Sequence, residues 1–317
     1  MGFAFVFPGQ GSQSVGMLGA LAAAHATVGA TFEEASEALG YDLWKLVAAG
    51  PEEALNATER TQPAMLAAGV ATWRVWQERG GGMPDVVAGH SLGEFTALVC
   101  AGALDFAPAI QLVRFRGQAM QAAVPAGTGA MAAILGLDDA DLAAVCREGA
   151  QGQVVEPANF NSPGQVVIAG EKAAVERAMQ AAKARGAKRA VLLPVSVPAH
   201  SSLMLKAAER LREQLAQLAI RRPAIRYLSA VDATEHADPA DLRALLVRQL
   251  SSPVRWTDTL RALATPSITQ VIECGPGKVL SGLNRRIEKR AGLGFCALED
   301  PASLEAAFAA THGGAHA

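Results

Sequence analysis

Cysteine is scarce in this chain of 317 residues: Cys100, Cys146, Cys274 and Cys296 are scattered, with no C-x-x-C pair among them. That spacing argues against a zinc site or a disulfide framework and leaves four buried thiols. Charge imbalance is also missing. A formal net charge of −2 gives no global field to gather nucleic acid or an anionic membrane, so any electrostatic partner surface must be local. Nowhere do apolar residues run long enough to span a bilayer, and the opening MGFAFVFPGQ lacks the cationic start and the apolar length of a secretory signal. The expected location is the cytoplasm, with no membrane and no nucleic acid as partner. There is no internal repeat or low-complexity block. Apolar content is abundant instead: half of the residues are hydrophobic, enough to bury a large core in one domain or two.

The order of apolar runs and turns gives the fold class. FAFVF ends in a sharp turn at Pro8-Gly9-Gln10-Gly11-Ser12, VVA at 86–88 runs into a glycine turn and an apolar helix, and VIECGPG at 271–277 precedes the helical KVLSGLNRRIEKR. Strands followed at once by helices point to an α/β domain with a parallel sheet. Between 125 and 197 the texture changes to strand (130–136), helix (138–150), strand (153–160), strand (164–170), helix (171–186) and strand (190–197). This βαββαβ order predicts a ferredoxin-like subdomain inserted into the large one. The large α/β-hydrolase-like domain is then discontinuous, over 1–124 and 198–307. A helix is expected over 201–220 from the spacing of Met204, Ala208, Leu211, Leu215 and Leu218. Residues 308–317, rich in Gly, Ala and His, are expected to be a disordered tail.

Chemistry concentrates at GHSLG, residues 89–93. In G-x-S-x-G the serine occupies a tight strand-to-helix turn that throws its Oγ clear of the backbone, with glycines where strand and helix pass closely. The N–H of Leu92 points toward the place where an oxyanion would form. A serine alcohol needs a base. Of six histidines, His25 falls in a helical stretch, His236 in a polar loop and His312 and His316 in the tail, which leaves His90 and His200. His90 is badly placed, because neighbouring side chains leave so sharp a turn in different directions. His200 lies where the chain re-enters the large domain and would face a cleft between lobes. Gly9-x-Gly11 lacks the third glycine of a dinucleotide fingerprint, and Gly275-Pro276-Gly277-Lys278 lacks the spacing of a phosphate loop, so no nucleotide cofactor and no metal are expected.

Eight segments, FPGQGSQ (7–13), TQPA (61–64), GHSLGE (89–94), VRFRGQAM (113–120), NFNSPGQ (159–165), VPAHS (197–201), QLSSPVRW (249–256) and ECGPGKVL (273–280), stand in an order that resembles the malonyl-CoA:acyl carrier protein transacylases. The resemblance runs from residue 3 to about 300 and implies the following roles. Ser91 is the nucleophile and His200 its base, oriented by the backbone carbonyl of Gln249 rather than by an aspartate. The N–H groups of Gln10 and Leu92 form the oxyanion hole. Arg116 pairs its planar fork with the free malonyl carboxylate, and Met120, one turn on, shares its helix face. Gln62, Asn161 and His90 line or support the site.

The resemblance implies malonyl transfer between the thiols of coenzyme A and of acyl carrier protein, for fatty acid synthesis, with no cofactor and as a monomer. Service to a polyketide or malonate decarboxylase system, a serine hydrolase or thioesterase, and a noncatalytic scaffold are the competing readings. For an acidic carrier, two basic clusters are candidate docking surfaces: Arg285, Arg286, Lys289 and Arg290, and Lys183, Arg185, Lys188 and Arg189.

Overall fold

The structure, a computed structural model, describes residues 2–195 and 197–312. Ten strands form two sheets. The strands are β1 (Gly2–Phe7), β2 (Val86–Gly89), β3 (Gly129–Leu135), β4 (Val155–Ser162), β5 (Gln165–Glu171), β6 (Arg189–Leu192), β7 (Arg226–Leu228), β8 (Glu235–His236), β9 (Ile268–Cys274) and β10 (Gly294–Leu298). The larger sheet has the order β10-β9-β1-β2-β7-β8. Its first five members pair in parallel and β8 closes the edge as an antiparallel hairpin partner of β7.

A parallel sheet with helices on both faces needs strands that are apolar on both sides, and FAFVF meets that demand. Phe5 and Phe7 point into the core on one face, where Phe5 meets the rings of Trp73 and Trp76 edge-on at 5.6 and 5.3 Å. Ala4 and Val6 point the other way, against Trp256, Leu260 and Leu283. All four are completely buried. Parallel register then aligns the strand ends: Phe7 lies opposite Gly89 and Val6 opposite Glu273. The turns after β1, β2 and β9 therefore gather at the carboxyl edge, where open α/β sheets hold their ligands.

The smaller sheet, order β4-β5-β3-β6, is wholly antiparallel, with β3 and β5 central as in a ferredoxin-like unit. Helices Asp139–Ala150 and Lys172–Ala184 cover one face through Leu142, Val145, Val175 and Ala178 against Ile134, Val166 and Ile168. The opposite face, with Met131, Ala158, Val167 and Ala169, packs with Leu193, Val195 and Ala199.

Four expectations need correction. The strand expected over 190–197 ends at Leu192, since Pro194 has no N–H for the ladder and the chain turns away to line a cavity. The helix expected over 201–220 is a 3-10 turn, Ser202–Met204, followed by an α-helix over Leu205–Ala216 only. At its end Arg243 donates to the carbonyls of Leu215 and Leu218 and so caps the last turn. His25 sits in extended backbone between helices Gly19–Ala24 and Ala26–Leu39, not within one. The expected tail does not begin at 308: helix Pro301–His312 runs through it, with Phe308 stacked on Trp76 at 4.4 Å, and residues 313–317 lie outside the described residues. No helix among the described residues is long and apolar enough to cross a membrane.

Candidate active site

Ser91 lies between β2 and helix Gly93–Cys100 with φ at 51°, a left-handed conformation that a serine adopts only when its surroundings impose it. Its flanking glycines are required sterically. A Cβ on Gly89 would come within 2.0 Å of Gly93, and one on Gly93 within 2.0 Å of the Phe7 carbonyl oxygen. The hydroxyl projects into a cavity of about 450 Å³. The large domain lines it with Gln10, His90, Leu92, Arg116, Met120 and His200, and the smaller sheet and the chain leaving it add Met131, Asn159, Leu193, Val195 and Val197. The backbone N–H groups of Gln10 and Leu92 donate to no acceptor among the described residues.

His200 also has a positive φ, 64°, in a turn anchored by its own N–H on the Leu250 carbonyl at 3.0 Å. Nδ1 donates to the Gln249 carbonyl at 2.9 Å and lies 3.2 Å from that of Ser252. Carbonyls only accept, so the proton sits on Nδ1 and the bare Nε2 accepts from Ser91 Oγ at 2.7 Å. Among the described residues no carboxylate completes the arrangement. Burial first, and then the charge of Arg116, push the imidazole pKa down to about 3, against the opposing pull of the Gln249 carbonyl. At neutral pH His200 is a neutral acceptor.

Arg116, on helix Phe106–Gln121, is 1% exposed. Nη1 donates to Gln62 Oε1 at 2.8 Å, and Nη2 donates to Gln249 Oε1 at 2.9 Å and reaches Ser91 Oγ at 3.3 Å. Nε is buried with no hydrogen-bond partner among the described residues, and the guanidinium lies 5.5 Å from the centre of the Phe95 ring. Burial lowers its pKa to about 10, partly offset by Glu94, so it remains charged. Both of its hydrogen-bonded anchors are neutral amides, and it forms no ion pair among the described residues. A buried cation with no anion in direct contact is unfavourable on its own and a ready receptor for a carboxylate.

Glu94 is the residue that the sequence reading passed over. It stands in GHSLGE, fully buried, and accepts from Tyr227 Oη at 2.9 Å, Ser229 Oγ at 2.8 Å, the Ala230 N–H at 2.6 Å and Gln249 Nε2. Burial raises its pKa and these donors oppose the rise. The same Gln249 amide donates to the Ser91 carbonyl at 2.9 Å. One glutamine thus orients the base through its backbone and the arginine through its side chain. The signal in sequence was a carboxylate beside an apolar helix start, but its partners lie more than 130 residues away.

His90 is not hydrogen-bonded to Ser91. Its Nε2 donates to Asn161 Oδ1 at 2.8 Å, its ring lies 5.6 Å from that of Trp256, and burial lowers its pKa. Asn161 supports His90 without lining the cavity; Asn159, with a buried and unpartnered Oδ1, is the lining asparagine instead. Gln62 likewise stands behind the wall, holding Arg116 and contacting Met120 Sδ at 3.5 Å.

A model of the acyl transferase domain matches residues 4–290. The chain belongs to the acyl transferase family. It is 57% identical over 305 residues to the malonyl CoA-acyl carrier protein transacylase of Salmonella typhimurium, covering 96% of this chain and 98% of that protein. The solved acyl carrier protein S-malonyltransferase of Vibrio cholerae superposes with a TM-score of 0.93 at 58% identity, over 97% of this chain and 100% of the other. A malonyl-transacylase solved in complex with its type II PKS acyl-carrier protein gives 0.95 at 55% identity, over 97% and 99%.

The expected docking residues of this acyltransferase lie away from the Ser91 cavity. Lys188 and Arg286 line one shared groove of about 470 Å³ between the two sheets' domains, where Arg286 donates to Gln165 Oε1 at 2.8 Å. Arg189 opens β6 and is exposed, and Arg285 donates to the Phe295 carbonyl at 2.7 Å. Two other members of the basic clusters are engaged internally. Arg290 holds the Ala264 and Ile268 carbonyls, and Arg185 pairs with Glu148. Among the described residues no group of three or more His, Cys, Asp or Glu could hold a metal ion.

Proposed function

We propose that this chain moves a malonyl group from coenzyme A to the phosphopantetheine thiol of acyl carrier protein through an ester on Ser91, supplying extender units for fatty acid synthesis. The observation that carries the reading is Arg116: a buried, unpaired guanidinium 3.3 Å from the Ser91 hydroxyl. In the first half-reaction His200 Nε2 takes the Ser91 proton as Oγ attacks the thioester carbonyl. The N–H groups of Gln10 and Leu92 receive the oxyanion. The carbon–sulfur bond breaks, and the departing thiolate takes the proton from Nε2. In the second, the carrier thiol gives its proton to Nε2 and attacks the ester, and Ser91 leaves and recovers its proton. Arg116 holds the malonyl carboxylate throughout. Because the arginine's charge depresses the His200 pKa, a carboxylate bound against it strengthens the base when substrate arrives.

Arg116→Ala tests the reading. A charge-assisted contact of this kind is worth about 1.5–3 kcal/mol, roughly ten- to hundredfold. The variant is expected to lose that factor in malonyl-CoA over acetyl-CoA loading of Ser91 while still accepting neutral acyl groups. Unchanged selectivity in the folded variant would remove the carboxylate from this site.

For the carrier, the groove that Lys188 and Arg286 share is the docking surface, with Arg189 and Arg285 beside it. Steering by local charge acts mainly on association. Lys188→Glu/Arg286→Glu is expected to raise KM for the carrier about fivefold or more with little change for malonyl-CoA. An equal rise for both substrates would place the interface elsewhere.

A further inference from the structure

The edge strand of the smaller sheet is sealed onto the large domain at the segments that hold His200. β4 pairs with β5 on one side only; on the other, the Phe160 N–H donates to the Val254 carbonyl and the Val254 N–H to the Ala158 carbonyl, both at 2.8 Å. Val254 ends the stretch whose Gln249 and Ser252 carbonyls face His200 Nδ1. Asn161, near the end of the same strand, holds His90. At its start, Glu156 Oε2 accepts from the Ser202 N–H at 2.7 Å and Oε1 from Ser202 Oγ at 2.9 Å. Ser202 is two residues beyond His200, at the exit of the turn.

That turn needs holding. His200 sits at a φ of 64°, sparsely populated by residues other than glycine, and residues in such conformations persist only where their surroundings over-determine them. The Leu250 carbonyl fixes the His200 N–H, Ser201 Oγ donates to the Pro198 carbonyl at 2.7 Å, and the Glu156 carboxylate fixes the next residue with two bonds. Glu156 lines a different, outer pocket and not the Ser91 cavity, so it meets no reacting atom.

We propose that Glu156 is a positioning residue for His200: the inserted lobe uses it to clamp the turn that aims Nε2 at Ser91. The inference rests on His200 being the base. Without the clamp the turn relaxes and the imidazole loses its alignment, while the malonyl-binding residues stay in place. Misplacement of a reacting group by about 1 Å is enough for large rate losses.

The test is single-turnover loading of Ser91 by malonyl-CoA, followed by intact mass, across a range of substrate concentrations. Glu156→Ala is expected to lower the maximal loading rate about tenfold with the half-saturating malonyl-CoA concentration unchanged. Glu156→Gln, which keeps an oxygen for Ser202, is expected to recover most of the rate. Ser202→Ala deletes only the hydroxyl bond and is expected to slow loading about threefold, which keeps the proposal testable if Glu156→Ala does not fold. Wild-type loading rates in folded Glu156→Ala and in Ser202→Ala would overturn it. So would a Gln variant as slow as the Ala variant. Absence of any adduct on wild-type protein would instead overturn the transfer reading itself.

Discussion

Ser91 and His200 meet at 2.7 Å, yet the two sides of that contact are built in different ways. The serine side is largely local: β2, the glycines at 89 and 93 and the following helix, residues 86–100, place the hydroxyl, with the neighbouring β1 carbonyl at Phe7 packed against Gly93 and Gln249 Nε2 donating to the Ser91 carbonyl. The histidine side is assembled from afar. Its backbone rests on Leu250, its Nδ1 on Gln249 and Ser252, and the turn that carries it on Glu156 from the other sheet. Both residues pass through positive φ, one held mainly by close packing and the other mainly by hydrogen bonds. Packing against backbone gives no room for adjustment, whereas a hydrogen-bonded turn can be tuned by several residues. The nucleophile is therefore fixed, and the base is where rate can be altered without loss of the fold.

The sharpest way to probe the difference is to remove the base. His200→Ala is expected to slow both half-reactions by roughly a hundred- to ten-thousandfold, because the same imidazole serves each. His90→Ala should cost far less, since its ring bonds Asn161 and not Ser91. Stopped-flow loading and carrier discharge measure both steps. If His90→Ala were the more damaging, the assembled side would be the wrong histidine.

A smaller effect separates burial from charge on the histidine side. The His200 pKa lies far below the ordinary imidazole value of 6.5, so Nε2 stays unprotonated and acetyl-CoA loading is expected to stay flat from neutrality down to about pH 5. Arg116→Ala removes the largest depressing influence after burial and should move the acid limb to higher pH. A limb near 6.5 in the wild type would contradict the buried, neutral base. The stability sign follows the same shift. As pH falls below 6.5 the unfolded chain takes up a proton at His200 that the folded chain refuses, so stability declines toward acid, and His90 adds to the decline in the same direction.

The same contrast explains what could be read in advance. GHSLG announced the elbow because every requirement lies inside the motif. The alternation of strands and helices over 125–197 gave the order of the smaller sheet. Element ends were harder, because groups outside the element take part in them: Arg243 caps the helix that ends at Ala216, Trp76 stacks on Phe308 in a helix where a tail was expected, and Pro194 follows the end of the strand at Leu192. Glu94 was invisible for the same reason. Its place beside the elbow was plain, but its four donors come from residues 227–230 and from Gln249. Asn161 was expected to line or support the site and supports it through His90, whereas Asn159, two positions back on the same strand, lines the cavity and carried no signal of its own in the sequence.

Intact mass spectrometry of the protein mixed with malonyl-CoA tests the central claim most directly. Wild-type protein is expected to gain one malonyl group on Ser91 and to lose it when holo acyl carrier protein is added, while Ser91→Ala gains nothing. A malonyl adduct on the folded Ser91→Ala variant, or a wild-type protein that never acquires one, would contradict it.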